Sequence, residues 1–377
     1  MNASLNKKLG NVKWGDYKMG ELFQRVKTNK LPYKADELPN QPLGEYTLPC
    51  LTSSFNNQGL NYYAPREGAT ILQNVISIPS NSDVYRAYYQ PNDFTVLSDA
   101  YAIRWIFDDR ELSSRQYLFM VMCINKVTDL PVYSYKNKLG GWNVVKNKHI
   151  QLPQKRGEID FDFMESFIAE LEAERVAELS AYLTVSGLDN YELSSDEENA
   201  LKNYQSLKWD TYNLEKLFGK STRGKRLKGD DRIAGTLPFV TAGEASEGIS
   251  AYISNEVEVF EKNTTTIDMF GSAKYRNYIY GGDDHIAVVH TENLPKYASI
   301  FVTTAIHKSS HNGQFDYGHN FYAKDADALY ISLPVNEAGN PDYDKMAIII
   351  SAIHKLVIKD VVVYSNRKIK ATKAVEK

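Results

Sequence analysis

Residues 12–23 read Val-Lys-Trp-Gly-Asp-Tyr-Lys-Met-Gly-Glu-Leu-Phe, and residues 207–218 read Leu-Lys-Trp-Asp-Thr-Tyr-Asn-Leu-Glu-Lys-Leu-Phe. The Lys-Trp pair and the closing Leu-Phe pair both recur at an offset of 195 positions. Solenoid proteins repeat short units many times, whereas this chain has two copies at a very long period. The repeat therefore predicts two related domains on one chain.

Shorter matches follow in the same order but at changing offsets. A changing offset with preserved order indicates an old duplication, followed by insertions and deletions in loops. We therefore expect the same elements, in the same order, in both halves. The matching segments are Thr47-Leu48-Pro49 with Thr236-Leu237-Pro238, Tyr85-Arg86-Ala87-Tyr88 with Tyr275-Arg276-Asn277-Tyr278, Ile150-Gln151-Leu152-Pro153 with Ile331-Ser332-Leu333-Pro334, and Asp160-Phe161-Asp162 with Asp342-Tyr343-Asp344.

The bulk composition sets broad limits on the class of protein. A length of 377 residues fits two or three domains, and 43% hydrophobic with 24% charged residues is typical of soluble proteins. No apolar run reaches the ~18 residues of a membrane helix, and the first residues contain no signal-peptide core. Cys50 and Cys123 are too few for a disulfide framework or a thiolate metal site. We therefore expect a cytoplasmic protein without a membrane partner.

The net charge of −3 hides an uneven distribution. Residues 157–199 contain 13 Asp and Glu residues against one arginine, Arg175, so the remaining chain carries +9. Attraction to phosphate falls off over a Debye length of ~8–10 Å, so the local charge matters more than the total. Two mildly basic repeats joined by an acidic segment are compatible with nucleic-acid binding.

Each repeat is predicted to be mixed α/β, because short β-rich runs bounded by turn residues precede a longer helical run. After each Leu-Pro pair the hydrophobic period becomes helical, with Met164, Phe167 and Ile168 on one face of the first helix. Asp160 and Asp342 are placed to cap these helices, whose ~20–25 residues would span ~30–37 Å.

The predicted fold class is therefore α/β, with two similar globular domains separated by two long antiparallel helices in a coiled-coil-like spacer. An acidic linker at residues 194–199 is expected to lead into the second repeat, and a basic tail at residues 368–373 is expected to fray. The predicted boundaries are 1–156 for the first domain, 157–200 for the first helix and acidic linker, 201–338 for the second domain, and 339–377 for the second helix and basic tail.

Three stretches resemble catalytic motifs but lack residues that the chemistry requires. Gly219-Lys220-Ser221 ends like a phosphate loop, but Leu214 stands where the first glycine is needed. Asn340-Pro341-Asp342-Tyr343 is close to the Asn-Pro-Pro-Tyr motif of adenine methyltransferases, but no Gly-rich loop for S-adenosylmethionine occurs, which favours a turn before a helix cap. His307 and His311 have zinc-motif spacing without the glutamate that should follow the first histidine. We expect no catalytic, cofactor or metal site on this chain.

The remaining pattern is typical of DNA binding. The 26 tyrosines are interleaved with Arg, Lys and Asn in predicted loops. Arg and Lys bind phosphates, Arg also reads guanine, Asn suits adenine, and Tyr packs on sugars or bases. The candidate DNA-binding residues are Tyr85, Arg86, Tyr88, Lys136, Lys138, Arg223, Lys225, Arg226, Lys274, Tyr275, Arg276 and Lys308.

A structural interpretation stays open for the aromatic residues. Tyr85 and Tyr275 can equally be buried framework residues, because identity between repeats often reflects folding rather than contact with a ligand. Trp14 and Trp209 are predicted to belong to the two cores.

Both halves carry the same series of motifs. Lys-Trp-x-x-Tyr is followed by Leu-Phe, an Ile-x-Leu-Pro exit and a long helix, and the second half adds Gly235 and the run Pro238–Gly243. This order, from about Val12 to Lys359, resembles that of the specificity (S) subunit of type I restriction–modification enzymes, and of the related recognition subunits of type IIB systems. The first half departs from it at residues 48–54, where the glycine-bearing version is replaced.

The resemblance implies a DNA sequence-specificity subunit with no catalytic activity of its own. Each globular domain would lie in the major groove and read one half of a split target on double-stranded DNA, and the helix pair would fix the distance between the domains. The exposed acidic face of the first helix, with Glu172 and Glu178, would bind methyltransferase subunits. A restriction or translocase subunit would complete a type I complex, with S-adenosylmethionine, and ATP and Mg²⁺ in a type I system, held by these partners.

Two other functions stay open. The chain could be a nuclease or another DNA-acting enzyme with an unrecognised active site, in which case it would cut DNA with Mg²⁺ alone. It could also be a scaffold of repeated modules that does not bind DNA even at low salt.

Overall fold

The chain divides into two compact units. A computed structural model describes the backbone of residues 3–375 and the side chains of residues 3–371. One unit comprises Met1–Leu179 with Lys368–Lys377, and the other comprises Ser180–Arg367. We call them the first unit and the second unit.

The first unit combines short strands with a few helices. Its helices are α1 (Ala3–Asn11), α2 (Met19–Leu22), α3 (Ser114–Thr128), α4 (Trp142–Val145) and α5 (Phe161–Val185), the last of which extends past Leu179. Its strands are β1 (Lys13–Lys18), β2 (Phe23–Arg25), β3 (Tyr46–Leu51), β4 (Leu60–Pro65), β5 (Val75–Pro79), β6 (Tyr88–Gln90), β7 (Thr95–Val96), β8 (Ala100–Trp105), β9 (His149–Lys155) and β10 (Glu158–Ile159). They form sheets in the orders β2-β8-β5-β6, β4-β3-β7 and β1-β9-β10.

The second unit repeats this arrangement. Its helices are α6 (Ser195–Lys202), α7 (Leu214–Phe218), α8 (Lys296–Ser310), α9 (Ala323–Ala328) and α10 (Tyr343–Val375). Its strands are β11 (Trp209–Asn213), β12 (Thr222–Arg223), β13 (Ala234–Val240), β14 (Ile249–Ile253), β15 (Val259–Phe260), β16 (Thr264–Asp268), β17 (Ala273–Arg276), β18 (Tyr280–Gly282), β19 (Ile286–Val289) and β20 (Tyr330–Pro334). They form sheets in the orders β12-β19-β16-β17, β14-β13-β18-β15 and β11-β20.

The strand orders of the two units are the same, apart from the extra edge strands β10 and β15. Even the exceptional pairing recurs: β3 with β7 is parallel, as is β13 with β18, whereas the other pairs are antiparallel. Shared topology at this level of detail confirms the duplication that the sequence repeat predicts.

The repeated Lys-Trp strand pairs with the Leu-Pro strand that ends each unit. Trp14 lies opposite Pro153 in the first unit, and Trp209 lies opposite Pro334 in the second. The two strongest sequence matches are therefore far apart in the chain but adjacent in space, and together they close each unit before its long helix begins.

Each long helix begins at the predicted aspartate. The Asp160 carboxylate accepts a hydrogen bond from Phe163 N at 2.9 Å, and the Asp342 carboxylate accepts one from Lys345 N at 2.9 Å. Each satisfies an amide that has no partner within its helix, as an N-cap should. The predicted starts are confirmed, and α5 has 25 residues as expected. The prediction for α10 was too short, because it has 33 residues and continues through the basic segment that was expected to fray.

The two tryptophans stack on equivalent phenylalanines. Trp14 lies 6.4 Å from Phe119, and Trp209 lies 6.1 Å from Phe301, measured between ring centroids. Trp14 is half-buried against the core of the first unit, whereas Trp209 is 40% exposed, so the prediction that Trp209 is a core residue was wrong. On α5, Phe163 also packs on Phe119, whereas its counterpart on α10 is Lys345.

The acidic segment at residues 194–199, which was predicted to be a linker, caps and begins a helix of the second unit. The Ser194 hydroxyl accepts from Glu197 N, and the Glu197 carboxylate accepts from Ser194 N at 2.8 Å, which is a capping box. Helix α6 follows from this cap. The spacing Ser-x-x-Glu is the signal that could have predicted it.

The predicted fold class is confirmed: two similar mixed α/β units, each with a long helix after its last strands. The antiparallel pairing of α5 with α10 and the four predicted boundaries remain predictions. Among the described residues, no helix is long and apolar enough to cross a membrane.

Glu197 is a buried carboxylate that ties α6 to α10. It accepts hydrogen bonds from Lys355 Nζ at 2.8 Å and Ser351 Oγ at 2.6 Å. Burial by itself would raise the pKa of Glu197, but the bonds from Lys355, Ser351 and Ser194 N outweigh it and lower the pKa to about 2.

We expect Glu197→Gln to lower the free energy of unfolding by about 2–3 kcal/mol at pH 7. The folded-state pKa lies below the unfolded value of 4.5, so this stabilisation is present above that pH and is lost as the pH falls towards 2. Denaturant unfolding at pH 7 and pH 3 measures both points. Glu198→Gln, a change at an exposed neighbour, is the control. A variant as stable as the wild type at pH 7 contradicts the assignment.

Candidate nucleic-acid interface

Each unit contains the same strained turn, at residues 52–59 in the first unit and 241–248 in the second. We call them the first turn and the second turn. Asn57 and Gln58 have φ values of 46° and 54°, and Ser246 and Glu247 have φ values of 48° and 56°. Two consecutive non-glycine residues with positive φ are uncommon and cost free energy, so the surroundings must hold them there.

A glycine closes each turn. The carbonyl oxygen of Gly59 accepts from Thr52 N at 2.9 Å, and that of Gly248 accepts from Thr241 N at 2.8 Å. At Gly248, where φ is +81°, a Cβ atom would lie 2.7 Å from the oxygen of Thr241. The close backbone approach therefore requires glycine at this position.

In the first unit, alternate residues of β6 hold the turn. The Tyr88 hydroxyl donates to the Phe55 carbonyl at 3.1 Å. The Gln90 amide donates to the Gln58 carbonyl at 3.4 Å and to Ser77 Oγ at 3.0 Å. Residues two apart on a strand share one face, so a single face of β6 holds the turn at Phe55 and at Gln58.

In the second unit, β17 does the same with charged side chains. Lys274 Nζ lies 3.1 Å from the Glu244 carboxylate, and the Arg276 guanidinium donates to the Glu247 carbonyl at 2.8 Å and to Thr266 Oγ1 at 2.9 Å. Each contact has a counterpart in the first unit, although the chemical groups differ. The conserved feature is the turn geometry rather than the residues that hold it.

These contacts correct the alignment of the repeats. Tyr89 Oη donates to the Asn74 side chain at 2.9 Å, and Tyr275 Oη donates to the Asn263 side chain at 2.9 Å. Both asparagines have positive φ, at 52° and 67°. Tyr275 is therefore the counterpart of Tyr89, not of Tyr85.

The same correction makes Gln90 the counterpart of Arg276. Strand pairing places Tyr88 opposite Ser77 and Lys274 opposite Thr266, so the connection before β17 is three residues shorter than the one before β6. The Tyr-Arg-x-Tyr segments match by chance, because they are short and occupy different structural positions. The prediction that Arg86 and Arg276 are equivalent was wrong.

A basic loop precedes each turn in the chain. The first basic loop, residues 27–34, contains Lys27, Lys30 and Lys34, and the second, residues 223–228, contains Arg223, Lys225, Arg226 and Lys228. All of these side chains are exposed. Within the described part of the chain, none forms an ion pair. The sequence predicted the second basic loop as a DNA contact but not the first, because the lysines of the first loop are separated by other residues. The position of the first loop directly after β2, like that of the second loop after β12, could have identified it.

The turn and the basic loop lie at the same end of each unit. In the first unit β3 and β7 run parallel and finish together at Leu51 and Val96. Strand β8 begins just beyond, at Ala100, opposite the end of β5, and β2 runs towards that same end. In the second unit Gly224 lies so close to the end of β18 that a Cβ atom there would be 1.6 Å from the Gly282 oxygen. We call this end the loop end of the unit.

Known proteins are similar to this chain in part of its sequence and in its fold. Residues 11–181 match the family of type I restriction modification DNA specificity domains. The specificity subunit S.BcgI of a type II restriction enzyme from Heyndrickxia coagulans is 23% identical over 241 residues, which are 63% of this chain and 66% of that protein, slightly less than two thirds.

Among solved structures, the S subunit of a type I restriction–modification system from M. genitalium matches with a TM-score of 0.59 at 14% identity, over 97% of this chain and 94% of that one. The HsdS subunit from Thermoanaerobacter tengcongensis matches over 94% and 91% at 14% identity, with a TM-score of 0.29. The similarity in sequence is thus to DNA specificity domains of restriction–modification systems, and the family match covers somewhat less than half of this chain. The predicted resemblance is confirmed, as is DNA sequence recognition as the role of this domain.

Several predicted residues of the specificity domain lie at its loop end. Arg86 is exposed and pairs with Asp129 at 2.7 Å, and the hydrogen bond and charge of that aspartate raise its pKa. Lys136 and Lys138 are exposed on the loop after α3. That loop is fixed by a bond from Tyr135 N to the Asp83 carboxylate at 2.8 Å.

Two of the predicted contacts are not available to DNA. Tyr85 is 1% exposed and packs edge-on against Tyr133, and Arg276 is 1% exposed beneath the second turn. The Arg276 guanidinium is satisfied by Thr266, the Glu247 carbonyl and the Tyr278 hydroxyl. We therefore replace the predicted DNA contact of Arg276 with a role in positioning the turn.

The other predicted positions in the second unit differ in their surroundings. Lys274 and Tyr275 are half-buried and engaged in the contacts of β17 described above. Arg223, Lys225 and Arg226 belong to the second basic loop. Lys308 is exposed on α8 and lines a separate cavity of about 780 Å³, which is partly walled by Trp209.

His307 has a structural role that explains its spacing. Its Nδ1 accepts a hydrogen bond from Ala273 N at 3.1 Å, as the Asn125 side chain does from Ala87 N at 2.7 Å in the first unit. Burial, the neighbouring His311 and Lys274 lower the pKa of His307, which favours the neutral, accepting ring. His307 and Asn125 thus accept the equivalent backbone hydrogen bond in the two units.

The second unit also has an acidic group at its loop end that sequence reasoning missed. Ligand atoms of Asp283, Asp284 and His285 lie within 4.8 Å of one another. Burial raises the pKa of Asp283. The equivalent segment of the first unit begins at Leu97, so this cluster is not part of the shared scaffold.

The predicted partner-binding carboxylates are both in ion pairs. Glu172 accepts from Arg115 at 3.1 Å, and the same arginine contacts Glu165, so this group joins α5 to the start of α3. Glu178 pairs with Arg175 at 2.6 Å on the surface of α5. The Glu172 carboxylate therefore helps to hold α5 against α3, and the Glu178 carboxylate is the more exposed of the two.

Replacing Arg276 tests whether geometry or residue identity matters in the second turn. Arg276→Ala removes donors from the Glu247 carbonyl and Thr266, so we expect a loss of about 2–3 kcal/mol in the free energy of unfolding. Arg276→Gln should retain part of that energy, because Gln90 fills the equivalent position. Chemical denaturation measures both, with Gln90→Ala as the matched change in the first unit. Equal losses for the two Arg276 variants would show that the amide cannot replace the guanidinium.

Proposed function

We propose that the chain is the non-catalytic specificity subunit of a restriction–modification complex, and that each unit reads one part of a bipartite target on double-stranded DNA. The observation that carries this proposal is the recurrence of an unpaired basic loop beside a clamped turn at the loop end of both units. All but the last two of the residues that match the specificity-domain family lie in the first unit, and the second unit has the same strand order apart from the extra edge strands.

The charges at the loop end suit a DNA backbone. Lys27 and Lys30 in the first unit, and Lys225 and Arg226 in the second, are exposed cations without internal partners among the described residues. Most protein–DNA hydrogen bonds go to phosphates and sugars, and these fix the register in which other side chains meet the bases. The net charge of −3 does not oppose this, because the acidic residues concentrate in 157–199.

The chemistry of modification and cleavage would come from partner subunits. We propose a methyltransferase subunit that uses S-adenosylmethionine, and a restriction or translocase subunit that uses ATP and Mg²⁺ if the system is type I. A cytoplasmic location follows from this role. The relative from Heyndrickxia coagulans is the specificity subunit of a type II enzyme, so both system types are compatible with the proposal.

Methylome sequencing of a host with and without this chain tests the function. Loss of one split adenine-methylation motif on deletion is the expected result. An unchanged methylome contradicts the proposal. DNA cleavage by the purified chain with Mg²⁺ alone would favour the nuclease, and no DNA binding even at low salt would favour the scaffold.

The basic loops should contribute affinity without sequence preference. We expect Lys225→Ala combined with Arg226→Ala to weaken DNA binding evenly across sequences and to reduce the slope of log K against log salt by about one unit per lost phosphate contact. The double change Lys27→Ala and Lys30→Ala in the first basic loop should have the same effect on affinity and on the salt slope. Binding at several salt concentrations measures the slope, and Lys359→Ala on α10 is the control. An unchanged slope would remove these loops from the interface.

The surface of α5 should affect partner binding. We expect Glu178→Lys to weaken co-purification with a methyltransferase subunit while leaving the unfolding midpoint nearly unchanged, because its pair with Arg175 is exposed. Glu172→Lys should instead lower stability, since it breaks the contact with Arg115. Full complex formation by a stable Glu178→Lys variant would contradict the proposed docking face.

A further inference from the structure

We propose that the first and second turns are the base-reading elements of the two units. In this inference, Gln58 reads an adenine and Glu247 reads a cytosine at structurally equivalent positions. The inference rests on the proposed function and specifies the chemistry of its two half-sites.

The first step is the strain. Both turns keep two consecutive residues with positive φ, and each is held by side chains from the adjacent strand. The holding groups differ completely, since Tyr88 and Gln90 are replaced by Lys274 and Arg276. A costly backbone shape retained while its supports change is the pattern expected where the shape itself has a use.

The second step is the availability of the tips. Residues 55–58 and 244–247 are exposed in an otherwise well-packed part of each unit. The clamps bind the carbonyl oxygens of Gln58 and Glu247 and leave their side chains free. Within the described residues, the side chains of Asn57, Gln58, Ser246 and Glu247 form no hydrogen bond. Free polar groups on a fixed backbone are pre-organised for recognition.

The third step is the chemistry of the tips. A glutamine amide donates and accepts together, which matches the N7 and N6 groups of adenine in the major groove. A carboxylate only accepts, so Glu247 is repelled by phosphates and matches the amino group of cytosine. An acidic tip at the same end of the unit as the basic residues Lys225 and Arg226 is unfavourable on a DNA backbone. It becomes useful when the tip points at base edges.

The equivalence of Gln58 and Glu247 allows a reciprocal exchange. Selection from random-sequence duplexes by the full-length protein, at fixed salt, should yield a two-part motif. Gln58→Glu should change the preferred base from adenine to cytosine in one part, and Glu247→Gln should change cytosine to adenine in the other. The expected change in discrimination at each position is roughly 5- to 150-fold. Glu337→Gln, at an exposed carboxylate outside the turn, should leave the motif unchanged.

The outcomes separate this inference from the function on which it rests. If the wild-type protein selects no motif, the proposed function fails. If it selects a motif that neither exchange alters, the function stands and the turns are not the base readers. Altered bases in the same part of the motif for both variants would also overturn the inference.

A second measurement does not depend on the stability of the exchange variants. Asn56 and Ala245 occupy equivalent exposed positions outside the positive-φ pair. A photoreactive side chain at either position should cross-link to bases within the selected motif, in different parts for the two positions. Cross-links that fall outside the motif, or none at all, would overturn the inference.

Discussion

The antiparallel pairing between the first and last strands of each unit is the constraint on which the rest depends. It joins Trp14 to Pro153 across the whole first unit, and Trp209 to Pro334 across the second. The chain then turns directly into the long helix: Asp160 N donates to the Pro153 carbonyl at 2.8 Å, and Asp342 N donates to the Pro334 carbonyl at 2.9 Å. Each helix is therefore anchored to the sheet that closes its own unit, and the loops between these strands are free to carry recognition.

The elements governed by local physics could be predicted from the sequence. Helix starts at Asp160 and Asp342 follow from capping chemistry, and the mixed α/β class follows from the change of hydrophobic period. The register between the repeats could not be predicted, because it depends on which residues face each other across β5 and β6. A short polar match therefore paired Arg86 with Arg276, which the hydrogen bonds of Tyr89 and Tyr275 separate.

The sequence predicted which residues give the candidate site its charge, but not which of those residues are buried. Exposed cations such as Lys225 were found from composition, since few lysines and arginines are buried. Arg276 is an exception, and only the acceptors around it show why its charge tolerates burial. The turns gave only a weak sequence signal, the threonine and glycine shared at their two ends, because their tips Asn57-Gln58 and Ser246-Glu247 share no residue type. Backbone strain became visible only when φ could be read.

The side chains that hold the two turns differ in charge, and this affects how each turn responds to the salt concentration. In the first unit the donors are the neutral groups of Tyr88 and Gln90. In the second unit the largely buried Lys274 lies 3.1 Å from the exposed carboxylate of Glu244 and 3.7 Å from the buried carboxylate of Asp268. Dissolved ions screen an exposed charge much more than a buried one, so high salt should weaken the contact with Glu244 before the contact with Asp268. The support of the second turn thus depends partly on charge, whereas neutral hydrogen bonds support the first turn.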